Sequence, residues 1–286
     1  MSLLEHPETI LIALSYLVLY VIVFFLAKWV KGLTASYNLD EQLTVYDNVA
    51  VAVSAAGYFI GVTCIFIGAV ADSHVASPMD GLMEWLSSAG YAVGGILLLQ
   101  VSRVLNERLI LNKFSVEKEI IKDRNPGTGV VEGAVYVASG MIIGGSIQGE
   151  GGGPLTALVF WALGQLCLIL FARIYERLSP YNVHEEIERD NVAAGLGFSG
   201  GLISIGVIIM KAVSGNFSGW QEDLIAMGLD VAIVLVYLVF VRFIFDRFVL
   251  RHSDLNTEIS QDQNIGAGLL EMVVSIAFSA VLYAVI

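Results

Sequence analysis

Long apolar stretches alternate with short polar segments along this chain. Most of the stretches reach the roughly 18–20 residues that a helix needs to cross a bilayer. They cover residues 10–27, 49–70, 85–99, 127–147, 155–172, 192–210, 224–241 and 265–286. The third stretch is short alone and extends to 81–101, and none alternates with the period of two that marks a barrel strand. The pattern therefore predicts an all-α integral membrane protein with eight transmembrane helices.

The composition supports a bilayer environment and excludes nucleic acid as a partner. Of the 286 residues, 56% are hydrophobic and only 15% are charged, against roughly 25% charged residues in soluble domains. The formal net charge of −12 provides no basic surface for phosphate groups. Cys64 and Cys167 fall inside apolar stretches, where they are expected as small buried hydrophobes rather than as metal ligands or a disulfide.

Basic residues are unevenly distributed between the two ends of the predicted helices. Fourteen of the 15 Lys and Arg residues follow the first, third, fifth or seventh stretch, and only Lys211 lies toward the opposite face. The positive-inside rule places those four polar segments in the cytoplasm and both termini outside. Because the first ten residues carry Glu5 and Glu8 but no Lys or Arg, the first stretch is expected to remain as a helix rather than to be removed as a signal peptide.

The four polar segments on the basic side repeat one pattern. Each has an apolar residue, two variable residues, an acid or Gln and a second apolar residue, and an Asn follows at the start of the next stretch. The unit is thus helix–hairpin–helix, and a longer spacing of 139–144 residues groups the four units into two four-helix halves, 1–148 and 149–286. Because all units cross in the same sense, the halves are expected to be parallel repeats about an axis along the membrane normal.

One short motif carries a family resemblance. The Asp-Asn-Val-Ala start of a small-residue helix, at 47–52 and again at 190–195, resembles the bacterial inner-membrane family catalogued as domain of unknown function 350, in several tandem copies. The second and fourth units depart from it at 125–127 and 264–266. The resemblance implies a bacterial cytoplasmic-membrane protein without an assigned activity, in a family whose genes often lie near envelope-stress proteins and glutathionylspermidine-synthase-like enzymes.

Four repeated Asn residues stand where the second helix of each unit should begin. An Asn side chain there accepts a hydrogen bond from an otherwise unpaired N–H of the first turn, and a Pro after the second of them fits the first helical position. The alternative is a ring of polar groups around a cytoplasmic pore mouth. We interpret them as helix caps at the cytoplasmic hairpins: Asn48, Asn125, Asn191 and Asn264.

The second helix of each unit is rich in small residues, and the first is bulkier. Spacings such as Gly57-x3-Gly61, Gly140-x3-Gly144 and Gly197-x3-Gly201 let helix backbones approach closely in lipid. We therefore expect the second helices to form the interior of the bundle and the first helices to face lipid.

Three acidic residues inside apolar stretches are the candidate functional residues. Glu132 and Glu271 each follow their cap Asn by seven residues, so they occupy matching positions in the two halves. Because ionised acids in hydrocarbon are costly, they indicate an ion or proton path. The alternative is a structural role for protonated, hydrogen-bonded or interfacial acids. Asp230 has no counterpart in the other half, and Lys211 is its candidate partner.

These observations lead to two functional hypotheses. The first is a channel or transporter for protons or a small cation, with Glu132, Glu271 and Asp230 on its path. The second is a membrane scaffold or envelope-stress component whose cytoplasmic hairpins bind a partner protein. No catalytic set, dinucleotide fingerprint or metal-ligand spacing stands out in the sequence, so neither an enzyme nor a cofactor is predicted. Association into a homo-oligomer stays open.

Overall fold

A computed structural model describes residues 7–71, 78–244 and 254–285. Within these ranges the chain forms α-helices and one π-helical turn, without any strand. The long helices are α1 (Pro7–Thr34), α3 (Val49–Val70), α4 (Pro78–Leu109), α6 (Pro126–Ile147), α7 (Gly153–Leu178), α9 (Val192–Val213), α10 (Trp220–Ile244) and α12 (Ile265–Val285). The hairpins contain α2 (Leu39–Thr44), α5 (Val116–Lys118) with the π-helical turn Glu119–Asp123, α8 (Val183–Glu188) and α11 (Leu255–Ser260).

Seven of the helices in the described part of the chain are long and apolar enough to cross a membrane: α1, α3, α4, α6, α7, α9 and α12. The all-helical, multi-pass architecture is therefore confirmed, while eight crossings stay a prediction. α10 covers the seventh predicted stretch as one helix of 25 residues. At 1.5 Å per residue its length is about 37 Å, which is enough for the hydrocarbon core.

The hairpins share one local geometry. The side chains of Asn38, Ser115 and Asn182 accept a hydrogen bond from the N–H three residues on and so cap α2, α5 and α8. Each hairpin then passes into its long helix through a residue in the left-handed region, with φ between 49° and 66°: Asp47, Arg124, Asp190 and Gln263. Arg247 and Arg251, predicted for the fourth basic segment, lie outside the described residues.

The long helices fall into an inner row and an outer set. α3 packs on α6, α6 on α9 and α9 on α12, while α4, α7 and α10 each pack against two successive helices of that row. α1 packs against α3. The protein buries 83% of the crossing residues of α6 and 89% of those of α9, but only 22% of those of α12. α3 and α12 are therefore the two ends of the row, and α12 lies at an edge although its small residues predict an interior position.

Glycine makes the closest approach in this row, between α3 and α6. A Cβ atom on Gly57 would run into the Gly133 backbone, and one on Gly140 would run into the Gly61 backbone. Lipid gives no hydrophobic driving force between helices, so this close van der Waals packing is what holds them together. Bulky residues on the outer helices, Leu97 of α4 for example, remain exposed to the bilayer.

Candidate functional site

The structure places each repeated Asn at the start of an inner helix. Its Oδ1 atom accepts a hydrogen bond from the backbone N–H three residues on, at 3.0–3.3 Å. This is the geometry of a helix cap. Its Nδ2 atom donates to a side-chain oxygen of its own hairpin, which for the four units in order belongs to Gln42, Glu119, Glu186 and Glu258.

Three of these Asn side chains also join successive hairpins. Their Nδ2 atoms donate to a backbone carbonyl of the following hairpin, at 2.7–2.8 Å: Asn48 to Ile120, Asn125 to Ile187 and Asn191 to Ile259. The three side chains are at most 1% exposed, so their amides face protein and not a water-filled opening. The hairpin end of the molecule is one connected hydrogen-bonded layer.

Glu132 lies buried between α6 and α3. Ser54 Oγ donates a hydrogen bond of 2.5 Å to Glu132 Oε2, and the acid is 6% exposed. The cavity beside it measures about 10 Å³, which is the least volume that holds one water molecule. The arrangement therefore has room for a water or a proton but not for a hydrated cation.

A buried lysine completes this site. Lys31 of α1 is 1% exposed, and its Nζ donates to the Tyr136 hydroxyl at 2.9 Å. The ammonium lies 4.5 Å from the ring centre of Tyr136 and 5.4 Å from that of Tyr58, which is a favourable cation–π arrangement. The Glu132 carboxylate attracts it electrostatically. A Lys, a Tyr and a Glu thus form one buried titratable cluster, which we call the Lys31–Glu132 cluster.

Two further residues, Arg103 and Tyr37, interact electrostatically with Glu132. Arg103 Nη1 donates to the Thr34 carbonyl at 3.1 Å, and Arg103 also lines the small cavity beside Glu132. Burial, and after it the negative charge on Glu132, raises the pKa of Tyr37 well above its ordinary value of 10.0. Tyr37 therefore stays neutral at physiological pH.

Glu271 occupies the matching place between α12 and α9, with different neighbours. It is 7% exposed, and its carboxylate fills the space that a Cβ on Gly197 would take, with the Tyr175 hydroxyl beside the same position. Tyr175 is 144 residues after Lys31, and Gly197 is 143 residues after Ser54, as expected for equivalent positions. The two acids therefore lie in two equivalent sites, one beside a lysine and the other beside a tyrosine.

Asp230 lies at the opposite end of the helices from the hairpins, in the lining of a cavity of about 260 Å³. Lys211, its expected partner, lines the same cavity, together with Ser146 near the end of α6. Residues of the loops 149–153 and 214–217 complete the lining. The structure thus brings Asp230 and Lys211 into one polar cavity and places them away from the hairpin end.

A line of buried polar side chains on α6 runs between the Lys31–Glu132 cluster and this cavity. Its members are Glu132, Tyr136, Ser139 and Ser146. They recur every three or four residues and so share one helix face, and the apolar Ile143 occupies the position between the two Ser residues on that face. Midway along it, Asn106 Nδ2 donates to Ser139 Oγ at 3.0 Å and to Gln165 Oε1 at 3.1 Å. We call these four side chains the α6 polar line.

Sequence reasoning missed the lysine of the cluster. The sequence interpretation counts Lys31 among the basic residues of the first cytoplasmic segment, whereas the structure buries its side chain among the helices. A signal does exist, because Lys31 continues the four-residue spacing of Leu19, Val23 and Ala27, which all lie on the buried face of α1. Ser54 carries no such signal, since one Ser in a small-residue helix looks like any other.

Possible metal ligands and free thiols lie in the described ranges. Among those residues no group of three or more His, Cys, Asp or Glu could hold an ion. Cys64 and Cys167 are free thiols on different helices.

Seven apolar helices of membrane-spanning length, packed around a row of small-residue helices, define the described part of the chain as a multi-pass membrane protein. The chain matches the family described as Domain of Unknown Function (DUF350) over residues 5–147 and 151–286, and it belongs to this family. The assignment made from the repeated motif is confirmed.

Two bacterial relatives bear the description of transmembrane proteins. The UPF0719 transmembrane protein of Aquifex aeolicus (strain VF5) is 24% identical over 252 residues, which cover 87% of this chain and 90% of the relative. The UPF0719 transmembrane protein YshE of Bacillus subtilis (strain 168) is 28% identical over 127 residues, 44% of this chain and 88% of the relative. No solved structure matches the chain.

Proposed function

We propose that the chain is a proton- or small-cation-conducting protein of the bacterial cytoplasmic membrane, with eight crossings, cytoplasmic hairpins and both termini outside. The observation that carries the proposal is the Lys31–Glu132 cluster. Ionisable residues inside a membrane are costly to keep and usually mark an ion or proton pathway. The proposal assigns neither an enzymatic activity nor a cofactor.

The geometry favours a proton over a hydrated cation. The cavity of about 10 Å³ beside Glu132 accommodates at most one water molecule. Hydroxyl groups stand next to both ionisable groups, because Ser54 donates to Glu132 and Lys31 donates to Tyr136. A hydroxyl both donates and accepts, so it can pass a proton on, whereas it supplies only one weak ligand to a metal cation.

The α6 polar line supplies a route away from the cluster. From Glu132 to Ser146 it covers 14 residue steps, or about 21 Å at the rise of an α-helix. It ends at the cavity lined by Asp230 and Lys211, which gives it a charged opening at the far end. The apolar step at Ile143 interrupts the line for one turn, so conduction along this face requires a water molecule there.

Proton flux into liposomes tests the proposal. Purified protein is reconstituted with a pH-sensitive dye inside, and a potassium diffusion potential drives protons inward. We expect flux with the unaltered chain and no flux with the Glu132→Gln/Glu271→Gln double variant. Glu132→Gln alone should also abolish flux, whereas Glu271→Gln should keep most of it, because Glu271 lies outside the α6 polar line.

Three controls make the result decisive. Thermal melting must show that every variant is folded. Replacing sodium and potassium by choline in the outer buffer, with a proton gradient as the only driving force, separates proton flux from cation flux. Ser279→Ala removes a buried hydroxyl of α12 without touching the α6 polar line and should leave flux unchanged. A folded double variant with full flux would refute the proposal.

The scaffold hypothesis retains one specific observation in its favour. The Asn bonds connect the hairpins into a single layer, and this layer exposes acidic side chains such as Glu185 and Glu188 of α8. A partner protein with a basic surface would find them on one platform. Glu185→Gln/Glu188→Gln should then weaken capture of that partner and leave proton flux unchanged, while Glu132→Gln should do the opposite.

A further inference from the structure

The links between hairpins run in one direction only. The Asn of each unit donates to the carbonyl of the following unit, and the three links have the same length within 0.1 Å. The contact is therefore heterologous, since one surface of a unit meets a different surface of the next. Such a contact leaves a donor end at the fourth unit and an acceptor end at the first.

Both ends of the row are exposed where the internal copies are buried. Asn264 is exposed, although its three counterparts are at most 1% exposed. At the other end Leu43 is half-buried, although its counterparts Ile120, Ile187 and Ile259 are at most 2% exposed. Asn264 keeps its own cap and its bond to Glu258, so its hairpin is folded and ready for the same contact.

The inner helices repeat one packing register at the three internal joints. At each joint, the Gly four positions after the cap Asn of one unit packs against the backbone of a residue in the preceding unit. That residue lies two positions after the cap Asn of its own unit. The pairs are Gly129 on Ala50, Gly195 on Gly127 and Gly268 on Ala193. At the open ends the same two positions are Gly266 on α12 and Ala52 on α3. A Cβ on Gly266 would meet only the side chain of its own Asn264 among the described atoms.

The rest of this face of α12 is exposed as well. Five residues of α3 pack against the glycines of α6. They lie 2, 5, 9, 13 and 16 positions after Asn48 and are Ala50, Val53, Gly57, Gly61 and Cys64. All five equivalent residues of α12 are exposed: Gly266, Leu269, Val273, Ala277 and Ala280. Three of the five are Gly or Ala, and such small residues let a second helix approach closely in lipid.

We propose that a second copy of this chain occupies that face, with α12 of one copy packed on α3 of the next and Asn264 Nδ2 bonded to the Leu43 carbonyl. The surfaces that meet already pack against each other in equivalent form three times within the chain. α1 fits the arrangement, because α4, α7 and α10 each bridge two inner helices and α1 contacts α3. In the assembly α1 would bridge α3 and the neighbouring α12.

One relative supports a joint of this kind. YshE aligns over 44% of this chain but 88% of its own length, so a chain about as long as one half occurs in the family. In the present chain the two halves meet through α6 and α9, and Asn125 of the first half donates to Ile187 of the second. The proposed joint repeats that contact between two copies. The rotation per unit decides whether copies close into a ring or continue as a chain.

Cysteine cross-linking between differently tagged copies tests the proposal and does not depend on proton conduction. Both native cysteines are replaced by Ala, and one copy carries Thr44→Cys while the other carries Asp262→Cys. These positions flank Leu43 and Asn264 and leave both intact. The two proteins are mixed, reconstituted in liposomes and treated with a short bifunctional maleimide. We expect a cross-link in the mixture and none with either protein alone.

Internal and negative controls set the scale. Arg189 and Ser260 are the equivalent positions at the joint between the third and fourth units, so Arg189→Cys/Ser260→Cys in one chain should cross-link internally and gives the reference yield. Asp262→Cys mixed with Glu185→Cys, an exposed position of another hairpin, gives the background. Ala277→Trp on the Asp262→Cys copy should reduce the cross-link to background, and Gly94→Trp on α4 should not.

Two results would overturn the proposal. The first is a mixed-pair yield at background level while the internal pair reacts fully, which would mean that lipid alone covers α12. The second is cross-linking of either single variant with itself, which would indicate a two-fold interface of another kind. Subunit counting of the unaltered chain in liposomes must agree, with two or more copies expected and single copies throughout contradicting the proposal.

Discussion

The two halves of the molecule share one scaffold and differ in the chemistry that it carries. Both have an acid seven residues after the cap of their second inner helix, buried against the preceding inner helix. In the first half a buried Lys31 and the Ser54 hydroxyl accompany Glu132. In the second half Tyr175 and Gly197 stand at those positions. Among the described residues, a lysine therefore accompanies the buried acid in the first half only.

The polar residues beyond the acid differ in the same way. Counting 139 residues on from Tyr136, Ser139 and Ser146 gives Ser275, Phe278 and Val285. The α6 polar line thus becomes almost entirely apolar on α12. Caps, turns and small residues therefore specify the fold in both halves, whereas the site depends on a few side chains set into that fold.

The scaffold should fail most severely at its tightest contact. Gly140→Leu places a side chain against the Gly61 backbone, where nothing flexible can yield, so we expect a loss above about 3 kcal/mol and little folded protein. Gly94→Leu is the matched control, because a Cβ on Gly94 meets no described atom within 4 Å. Thermal melting in detergent measures both. Equal melting temperatures would mean that the α3–α6 contact does not limit stability.

The charge difference between the halves predicts the next largest effect. Lys31→Met removes one of the two cations near the buried Glu132 and leaves Arg103, so we expect a loss of up to about 3 kcal/mol. Tyr175→Phe, at the equivalent position of the second half, removes one hydroxyl and should cost about 1 kcal/mol. Lys31→Met/Glu132→Gln should recover much of the loss by removing both charges. If the double variant is no more stable than Lys31→Met, the two residues do not interact.

The sequence predicts most of the scaffold. Helix positions follow from apolar stretches, and the hairpins with their Asn residues follow from repeat spacing, because both signals are local in the chain. The expected inner position of the small-residue helices is found for α3, α6 and α9. It fails for α12, because α3 at the other end of the row is covered by both α1 and α4, whereas α10 is the long outer helix that packs on α12.

The site was harder to predict because its contacts are distant in sequence. Glu132 and Glu271 stand out as acids in apolar stretches, but the partners of Glu132 lie on α1 and α3. Lys31 follows an apolar stretch, where lysines usually anchor a helix end at the interface, and only the packing of α1 on α3 buries it. The link from Asn48 to Ile120 spans 72 residues, so the spacing of the hairpins alone could not reveal it.

The joint between the halves can be compared with the open end of the second half. Asn125→Ala removes a cap, worth about 1 kcal/mol, and also leaves the buried Ile187 carbonyl without this donor, for a total loss of about 2 kcal/mol. Asn264→Ala removes a cap at an exposed position and should cost only about 1 kcal/mol. Thermal melting of protein diluted in detergent, where copies are kept apart, measures the difference. Equal losses would show that the link from Asn125 adds no stability.

The smallest effect compares the left-handed turn residues of equivalent hairpins. Asp47 and Asp190 both have a positive φ, which Asn tolerates well, so each Asp→Asn exchange tests the same backbone. Partial burial raises the pKa of Asp190 above its ordinary value of 3.8. The folded state then holds the proton more tightly than the unfolded state, so this residue lowers stability as the pH rises through 3.8. We expect Asp190→Asn to stabilise the protein at pH 7 by less than about 0.5 kcal/mol, and the gain should disappear below the ordinary pKa, where both states are protonated.

Asp47→Asn is the backbone control. The melting temperature of both variants is measured against pH, and the difference between the two exchanges isolates the effect of burial on Asp190. A gain that persists unchanged at low pH would assign the effect to the turn geometry and remove this distinction between the hairpins.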